Sequence, residues 1–460
     1  MITTTNPATG ETLAEYETLD ANAIDRKLET ATRAYHDWRM SPIEKRVAVL
    51  ERLGDLYEEK KETLARLAVS EMGKPITQAR AEVEKCASLF HYLAKAGPAM
   101  LESEFWDLSD GGKAEGRWLP QGPVLAVMPW NFPYWQVARF LAPTIMAGNV
   151  GVLKHASLVQ GVAAKIEDLV LEAGGPEGLF QNLCVSSDPI DDVIADTRIV
   201  AATLTGSEGA GQAVAAQAGK HLKKVVLELG GSDPFIVMPS ADLDKAVEDA
   251  VTARIQNNGQ SCICGKRTIV HADVYEDFAE RFGEALRTVK LGDPMDDDTE
   301  LGPLSSEEQR DTVLDQIETA KQEGCTLLFG GEKLDRPGAW MSAGLLTDVP
   351  LASETGTDEI FGPVGQIYRA QDRDEATTIA NAIPFGLGSA VFTQDEDDKE
   401  HFANFIEAGM TTFNAVNGSK VEAPFGGIKR SGFGRELSHH GLHEFMNLKT
   451  LVYPAQEQDT

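Results

Sequence analysis

The chain has 460 residues and a formal net charge of −30 at neutral pH, from 42 basic and 72 acidic residues. This length suffices for two or three domains, and the acidic excess argues against a protein that binds nucleic acid or an anionic membrane surface. Apolar residues make up 42% of the chain, which is typical of a folded globular protein and not of a disordered one.

The first hundred residues are predicted to be largely helical. Across residues 43–68, apolar side chains recur three or four positions apart among charged ones, as in an amphipathic helix. The N-terminal segment has neither the basic start nor the apolar run of a signal peptide, so we expect no secretion signal. Five scattered cysteines are too few for a secreted disulfide framework, which favours a reducing cytoplasm.

After Gly122 the pattern changes to short apolar runs separated by helical stretches. This alternation predicts crossover units and a parallel sheet. The first series of strands is predicted at 124–128, 150–153, 179–185, 200–204 and 225–229. A second series is predicted at 235–238, 267–270, 365–368, 388–393 and 411–413. Residues 101–121 interrupt this alternation of strands and helices. Their Gly-Gly turn indicates a hairpin arm of the kind that serves subunit association.

The segment NNGQSCICGKR, residues 257–267, is the most informative single stretch. Cys262 lies in a glycine-containing loop between a predicted helix and a predicted strand, where a thiolate would be a strong nucleophile. A lone cysteine is more often an inert core residue, and the C-x-C pair with Cys264 also suggests a metal site. Zinc needs about four ligands at wider spacing, and the nearest histidine, His271, falls within a predicted strand, so we expect no metal.

Three other segments place polar groups at predicted loops and strand ends. PWNFP, residues 129–133, follows the first parallel strand, where open α/β sheets bind ligands, and the Asn131 amide suits an oxyanion. VVLELGG places Glu228 at another strand end, and EIFGPV puts Glu359 near Phe361. Taken singly, each segment is compatible with ordinary packing or a turn.

Together these segments resemble the aldehyde dehydrogenase superfamily over nearly the whole chain. The resemblance runs through PWNFP (129–133), GVLKHAS (151–157), TGSEGAG (205–211), ELGG (228–231), GQSC (259–262), EIFGPV (359–364) and PFGGIKRSGFGRE (424–436). Within the superfamily, KHAS and LSHHGLHEF are most similar to the NAD(P)-dependent succinate-semialdehyde dehydrogenases. The expected reaction is oxidation of an aldehyde to the carboxylic acid.

The resemblance implies two doubly wound parallel-sheet α/β domains, one a Rossmann-type cofactor domain and one catalytic, with a small β arm for oligomerisation. We divide the chain into an NAD(P)-binding domain (1–104 and 120–229), a catalytic domain (230–428) and the arm (105–119 and 446–460). A homodimer or homotetramer is expected.

Carried onto this sequence, the resemblance makes Cys262 the nucleophile, Glu228 the general base and Asn131 the oxyanion donor, beside the backbone N–H of Cys262. Attack of the thiolate on the aldehyde gives a tetrahedral oxyanion. Loss of hydride to a nicotinamide ring leaves a thioester, which water activated by Glu228 then hydrolyses. CoA-acylating relatives usually lack this glutamate, so its presence favours release of a free acid.

The cofactor is expected to be NAD or NADP. No G-x-G-x-x-G follows a strand; instead Gly206-Ser207 begins a helix whose free N–H groups suit a pyrophosphate. The resemblance adds Trp130 along the pyrophosphate path, Lys154 at the adenosine ribose, Glu359 and Phe361 at the nicotinamide ribose and ring, and Leu229. NAD-preferring members commonly carry glutamate where this chain has Ser157, so we predict that NADP is accepted as well as NAD.

The substrate is expected to be a small aldehyde that bears a carboxylate. Arg139 follows Asn131 by two helical turns, where semialdehyde enzymes carry arginine, and a guanidinium suits a carboxylate. Phe132 and Ser419 are placed beside it. The alternative is that Arg139 merely pairs with a surface carboxylate, and Gln256 stands where some of these enzymes have a second arginine.

Three readings therefore stay open: a succinate-semialdehyde dehydrogenase, a dehydrogenase of another semialdehyde or of uncharged aldehydes, and a non-catalytic binding homologue. Cys264 is compatible either with a reversible disulfide to Cys262 or with a small buried core residue.

The excess of carboxylates indicates a surface adapted to a salty cell interior. Like charges repel one another across such a surface, and added salt screens that repulsion. We therefore expect the melting temperature and the activity to rise with KCl concentration. Maximal stability and activity without added salt would contradict this adaptation.

Overall fold

The computed structural model describes residues 1–455, which form an α/β protein with two large sheets, as predicted. Its helices are α1 (Ala21–Trp38), α2 (Ile43–Glu59), α3 (Lys61–Met72), α4 (Ile76–Met100), α5 (Trp135–Ala147), α6 (Gln160–Glu172), α7 (Ile190–Ala195), α8 (Glu208–Lys220), α9 (Leu243–Ile255), α10 (Tyr275–Arg287), α11 (Glu307–Gln322), α12 (Glu354–Thr357), α13 (Arg373–Asn381), α14 (Glu396–Phe405) and α15 (Ser438–His443). None of these helices has both the length and the apolar character needed to cross a membrane.

The strands come from every part of the chain. They are β1 (Ile2–Thr5), β2 (Thr12–Tyr16), β3 (Glu104–Asp107), β4 (Lys113–Pro120), β5 (Pro123–Met128), β6 (Val150–His155), β7 (Phe180–Asn182), β8 (Ala201–Thr205), β9 (Lys224–Glu228), β10 (Asp233–Val237), β11 (Gly265–His271), β12 (Thr326–Gly330), β13 (Gly344–Thr347), β14 (Val364–Ala370), β15 (Phe385–Gly386), β16 (Ala390–Phe392), β17 (Thr412–Phe413), β18 (Ile428–Lys429), β19 (Gly432–Phe433) and β20 (Met446–Tyr453).

The first large sheet has the order β19-β9-β8-β5-β6-β7. Its five predicted strands are parallel, and β19 returns from the end of the chain to pair antiparallel with β9. These strands read as continuous apolar runs because helices cover both faces of a parallel sheet. The segments after β5, β8 and β9 lie at the carboxyl edge of this sheet, where open α/β sheets bind ligands.

The second large sheet has the order β12-β13-β14-β11-β10-β16-β17. Its parallel part has six strands, of which five were predicted; β13, which pairs parallel with β14, and β12 were not predicted. β12 pairs antiparallel with β13 at the edge of the sheet and leaves Leu328 exposed. A half-exposed edge strand lacks the continuous apolar run that marks the buried strands.

The N-terminal hundred residues are less uniformly helical than predicted. Residues 2–16 form the antiparallel hairpin β1–β2, in which the threonine-rich strand β1 alternates buried and exposed side chains. The predicted helix over 43–68 is in fact two helices, α2 and α3, which meet at Lys60 because that residue leaves helical geometry. Both helices pack against the long helix α4.

The predicted hairpin arm is present as a three-stranded sheet of order β20-β4-β3. β20 pairs with β4 along its full length, from Met446 opposite Pro120 to Tyr453 opposite Lys113. Residues 456–460 of the predicted arm lie outside the described residues. The division into domains at the stated residues stays a prediction.

Helix α5 follows PWNFP and is fixed at its first turn by a carboxylate from another helix. Glu82 of α4 accepts hydrogen bonds from the backbone N–H groups of Tyr134 and Trp135, each at 2.9 Å. Its second oxygen pairs with the buried Lys74 ammonium. A carboxylate at a helix N-terminus satisfies free N–H groups and complements the helix dipole, so α4 and α5 are held in a fixed relation.

Candidate active site

Cys262 lies on the loop between α9 and β11 and lines two cavities at once. The larger cavity, of about 640 Å³, has Phe132, Arg139 and Phe425 in its wall. The smaller cavity, of about 290 Å³, has Trp130 in its wall together with Gly206 and other residues described below. A thiol at this junction can be approached by one molecule from each side.

Two asparagines hold the loop before Cys262 in an unusual backbone conformation. Asn257 and Asn258 have φ angles of 55° and 59°, in the left-handed region that asparagine adopts more readily than most residues. Asn257 Nδ2 donates to the carbonyl oxygens of Asn131 and Gln260, at 2.8 and 2.9 Å. Asn258 Nδ2 donates to the carbonyl oxygen of Gly73 at 2.9 Å. The loop is therefore anchored both to the segment after β5 and to the end of α3.

Cys262 is half-buried between the two cavities, which affects the reactivity of its thiol. Burial raises the pKa of the thiol to about 12, although the Lys266 and Arg139 cations favour the thiolate. Lys266 Nζ donates to the carbonyl oxygens of Ser261 and Cys262, at 2.7 and 2.9 Å. In this state the thiol is protonated at neutral pH, so its activation requires a base or further positive charge.

Asn131 lines the smaller cavity together with Cys262. Its Nδ2 donates to the carbonyl oxygen of Gln260 at 3.0 Å, and its Oδ1 accepts from Gln136 Nε2 at 2.9 Å. These two bonds fix the side-chain amide and leave one Nδ2 proton for a further acceptor. Asn131 can therefore stabilise an oxygen anion that develops beside Cys262.

The smaller cavity combines aromatic rings with a carboxylate. The Trp130 and Phe361 rings meet edge to face, with centroids 5.8 Å apart. Glu359 Oε1 lies 3.0 Å from Lys266 Nζ, so the lysine that binds the Cys262 carbonyl oxygen also orients this carboxylate. Burial raises the pKa of Glu359, and Lys266 opposes that rise.

The smaller cavity also fits a dinucleotide. Helix α8 begins directly after Gly206 and Ser207, which line the cavity with Leu229. The first-turn N–H groups of a helix have few intrahelical partners and suit phosphate oxygens. The Thr205 hydroxyl at the end of β8 is buried without a hydrogen-bond partner among the described residues, which leaves it free for a ligand.

The larger cavity brings cationic and aromatic side chains together. Lys85 Nζ donates to Ser419 Oγ at 2.8 Å and lies 4.5 Å from the centre of the Trp135 ring. The Arg139 guanidinium lies 4.5 Å from the centre of the Phe425 ring. Such a cavity suits a small molecule that carries a negative charge at one end.

Known proteins resemble this chain over almost all of its length. The model of the aldehyde dehydrogenase family matches residues 1–451. The chain belongs to the aldehyde dehydrogenase family.

Two relatives and one solved structure illustrate the match. The protein named succinate-semialdehyde dehydrogenase (NADP(+)) 1 of Mycobacterium tuberculosis is 48% identical over 452 residues, which cover 98% of this chain and 99% of that protein. The succinate-semialdehyde dehydrogenase (NADP(+)) of Mycobacterium leprae is 47% identical, with the same coverage. The crystal structure of succinic semialdehyde dehydrogenase from Streptococcus pyogenes, in complex with NADP+, is 39% identical with a TM-score of 0.97 and covers 99% of this chain and 100% of that one.

In this aldehyde dehydrogenase, Glu228 is buried at the end of β9. Among the described residues that line the two cavities, Glu228 is absent. Its carboxylate is buried without hydrogen-bond partners in the described part of the chain, and a Cβ on Gly426 would lie 2.7 Å from its Oε1. Burial and the neighbouring Glu436 carboxylate raise the pKa of Glu228 well above its usual range. Its predicted role as general base stays a prediction.

Lys154 and Ser157 also lie outside the wall of the smaller cavity as its described residues define it. Lys154 is near the end of β6, beside β5, and Ser157 follows directly after that strand. This is the carboxyl edge of the first sheet. The position is consistent with the far end of an extended dinucleotide, and the predicted ribose contacts stay predictions.

Arg139 is positioned differently from the sequence expectation. It lines the larger cavity, but its Nε lies 2.7 Å from Glu436 Oε2, and both side chains are almost fully buried. The carboxylate partner is therefore buried rather than on the surface. The positive charge of Arg139 is balanced within the protein before any substrate arrives.

Two nearby side chains, Lys85 and Lys266, were not predicted from the sequence as parts of the site. Lys85 and Lys266 look like ordinary charged residues, because nothing in their local patterns marks burial. Gln256 lines the larger cavity, and its Nε2 is buried without a partner among the described residues. Cys264 is buried, and its thiol points to the carbonyl oxygen of Gln256 at 3.6 Å.

Proposed function

We propose that this aldehyde dehydrogenase oxidises succinate semialdehyde to succinate, with NADP+ or NAD+ as the hydride acceptor. The observation that carries the proposal is the position of Cys262 in the walls of both cavities. The similarity to enzymes named for this substrate over the whole chain, and the cations of the larger cavity, support the choice of aldehyde.

The proposed chemistry begins when Cys262 loses its thiol proton to a base and the thiolate sulfur bonds to the aldehyde carbon, while the electron pair of the C=O π bond moves to the oxygen. The second Nδ2 proton of Asn131 and the backbone N–H of Cys262 stabilise the oxyanion that this attack creates. The chemistry supplied by a bound nicotinamide dinucleotide is the acceptance of hydride. Trp130, Glu359, Phe361 and the start of α8 are the residues that would hold it.

Glu228 is the proposed base for hydrolysis of the resulting thioester. This role requires its side chain to turn from Gly426 toward Cys262. Burial and the Glu436 carboxylate raise the pKa of Glu228, so the side chain must lose its proton before it can accept one from water. The product is then a free carboxylic acid.

We also propose a cytoplasmic homodimer or homotetramer that assembles through the arm. Support comes from apolar side chains of the three-stranded sheet that are exposed in the single chain, such as Phe105 at 71% and Val452 at 63%. Exposed apolar clusters of this kind mark association surfaces.

For the oligomer, light scattering of the full chain is expected to give the mass of a dimer or tetramer. Replacing both Phe105 and Val452 by serine is expected to shift the mass toward the monomer, because the surface buried on association becomes polar. Leu222→Ser is the control, since Leu222 is exposed but lies outside the arm. A monomeric wild-type protein would contradict the proposed oligomer. Recovery of the native protein outside the cytosolic fraction would contradict the proposed cytoplasmic location.

For the cofactor, we expect wild-type enzyme to use NADP+ as well as NAD+. Ser157→Glu is expected to lower kcat/KM for NADP+ by roughly 100-fold, because a carboxylate would repel the 2′-phosphate, with a much smaller effect on NAD+. Ser157→Gln, of similar size but uncharged, is the control. Equal losses with both cofactors, or a wild-type enzyme inactive with NADP+, would show that Ser157 does not set this preference.

A further inference from the structure

We propose that Lys85, together with Ser419, is the anchor for the distal carboxylate of the aldehyde substrate and sets the preference for semialdehydes over uncharged aldehydes. The inference rests on the proposed function and names a residue that the sequence pattern does not mark. The juxtaposition that supports it is one ammonium group, one hydroxyl group and the Cys262 thiol in the wall of a single cavity.

The other charged groups in that wall are already compensated. Arg139 pairs with Glu436, Glu82 with Lys74, Asp297 with Arg80 and Asp298 with Lys290. Glu300 accepts a hydrogen bond from the backbone N–H of Lys290 at 2.7 Å. Lys85 is different, because no carboxylate within 4.0 Å pairs with it among residues 1–455.

The geometry leaves Lys85 ready to bind an anion. An ammonium has three donors, and only one of them is used within the described chain, in the bond to Ser419 Oγ at 2.8 Å. The face of the Trp135 ring, 4.5 Å away, fixes the direction of the side chain without neutralising its charge. Ser419 is 6% exposed and supplies a hydroxyl beside the same ammonium.

The pKa of Lys85 also indicates that its charge is poorly compensated within the protein. Burial is the largest cause that lowers the pKa of Lys85 to about 8; the Arg139 and Lys420 cations act in the same direction, and Cys86 and Glu82 oppose them. An unpaired cation that is held among other cations gains most from an incoming carboxylate. Arg139 contributes to the positive potential of the cavity, but the Glu436 carboxylate, 2.7 Å from its Nε, offsets its charge.

The measured quantity is the selectivity ratio, defined as kcat/KM for succinate semialdehyde divided by kcat/KM for butanal. Butanal has the same number of carbon atoms and carries a methyl group in place of the carboxylate. Lys85→Met is expected to lower this ratio by roughly 30-fold or more, the effect of truncating one partner of a desolvated charge pair, chiefly by raising KM for the semialdehyde. Lys95→Met is the control, because it removes the same charge from an exposed position on α4.

A pH profile separates Lys85 from Arg139. Lys85 is charged below its pKa and neutral above it, so the ratio for wild-type enzyme is expected to fall as the pH rises through about 8. Titration of Cys262 affects both aldehydes alike and cancels in the ratio. Lys85→Arg is expected to keep the preference for the semialdehyde and to lose this fall, because a guanidinium stays charged.

The following results would overturn the role of Lys85 or the proposed substrate. A ratio within about 3-fold of wild type in folded Lys85→Met, judged by its melting temperature, overturns the inference. If Lys85→Met does not fold, the pH profile of Lys85→Arg decides: a fall near pH 8 that persists in this variant overturns the inference. Absence of any preference for the semialdehyde in wild-type enzyme instead overturns the proposed substrate, which is a separate failure.

Discussion

The site depends on one hydrogen-bonded connection between the two loops that form it. Asn257 Nδ2 binds the carbonyl oxygens of both Asn131 and Gln260, and Asn131 Nδ2 binds Gln260 as well. Asn131 after β5 and Cys262 before β11 belong to segments of different sheets, so these bonds set the relative position of the two segments. The left-handed backbone at Asn257 is the strain that this connection requires, and it persists because its surroundings fix it.

The side chains around Cys262 are positively charged, although the chain as a whole is strongly acidic. The chain carries 72 acidic residues, yet Lys85, Arg139 and Lys266 converge on the space around Cys262. Each cation has a distinct partner: Arg139 has a buried carboxylate, Lys266 has Glu359 and two carbonyl oxygens, and Lys85 has, among residues 1–455, only a hydroxyl. Desolvation disfavours ionisation of the Cys262 thiol, so its activation must come with the ligands that complete the site.

Much of the fold could be predicted from the sequence, because ten of the eleven parallel strands in the described chain appear as short apolar runs. The strands β1, β2 and β12 were missed, since short hairpins and edge strands lack that pattern. The buried strand β13 was missed because only two apolar residues, Leu345 and Leu346, stand between Gly344 and Thr347. Cys262 and Asn131 were predicted to meet and do so in one cavity wall. The sequence predicted the rest of the site less well where contacts between distant parts of the chain determine a side chain's partner. Arg139 pairs with Glu436, which is far away along the chain. Lys85 reaches a cavity because of the way α4 packs, which its local sequence does not reveal.

The central claim is that the Cys262 sulfur bonds to the aldehyde carbon and that Glu228 is needed to break the later thioester. The direct measurement is peptide mass spectrometry of the Glu228→Gln enzyme, quenched with acid after mixing with NADP+ and succinate semialdehyde. We expect a single burst of NADPH and a succinyl group on the peptide that contains Cys262, because hydride transfer precedes the blocked hydrolysis. Full steady-state turnover, or a burst that leaves Cys262 unmodified, would contradict the account.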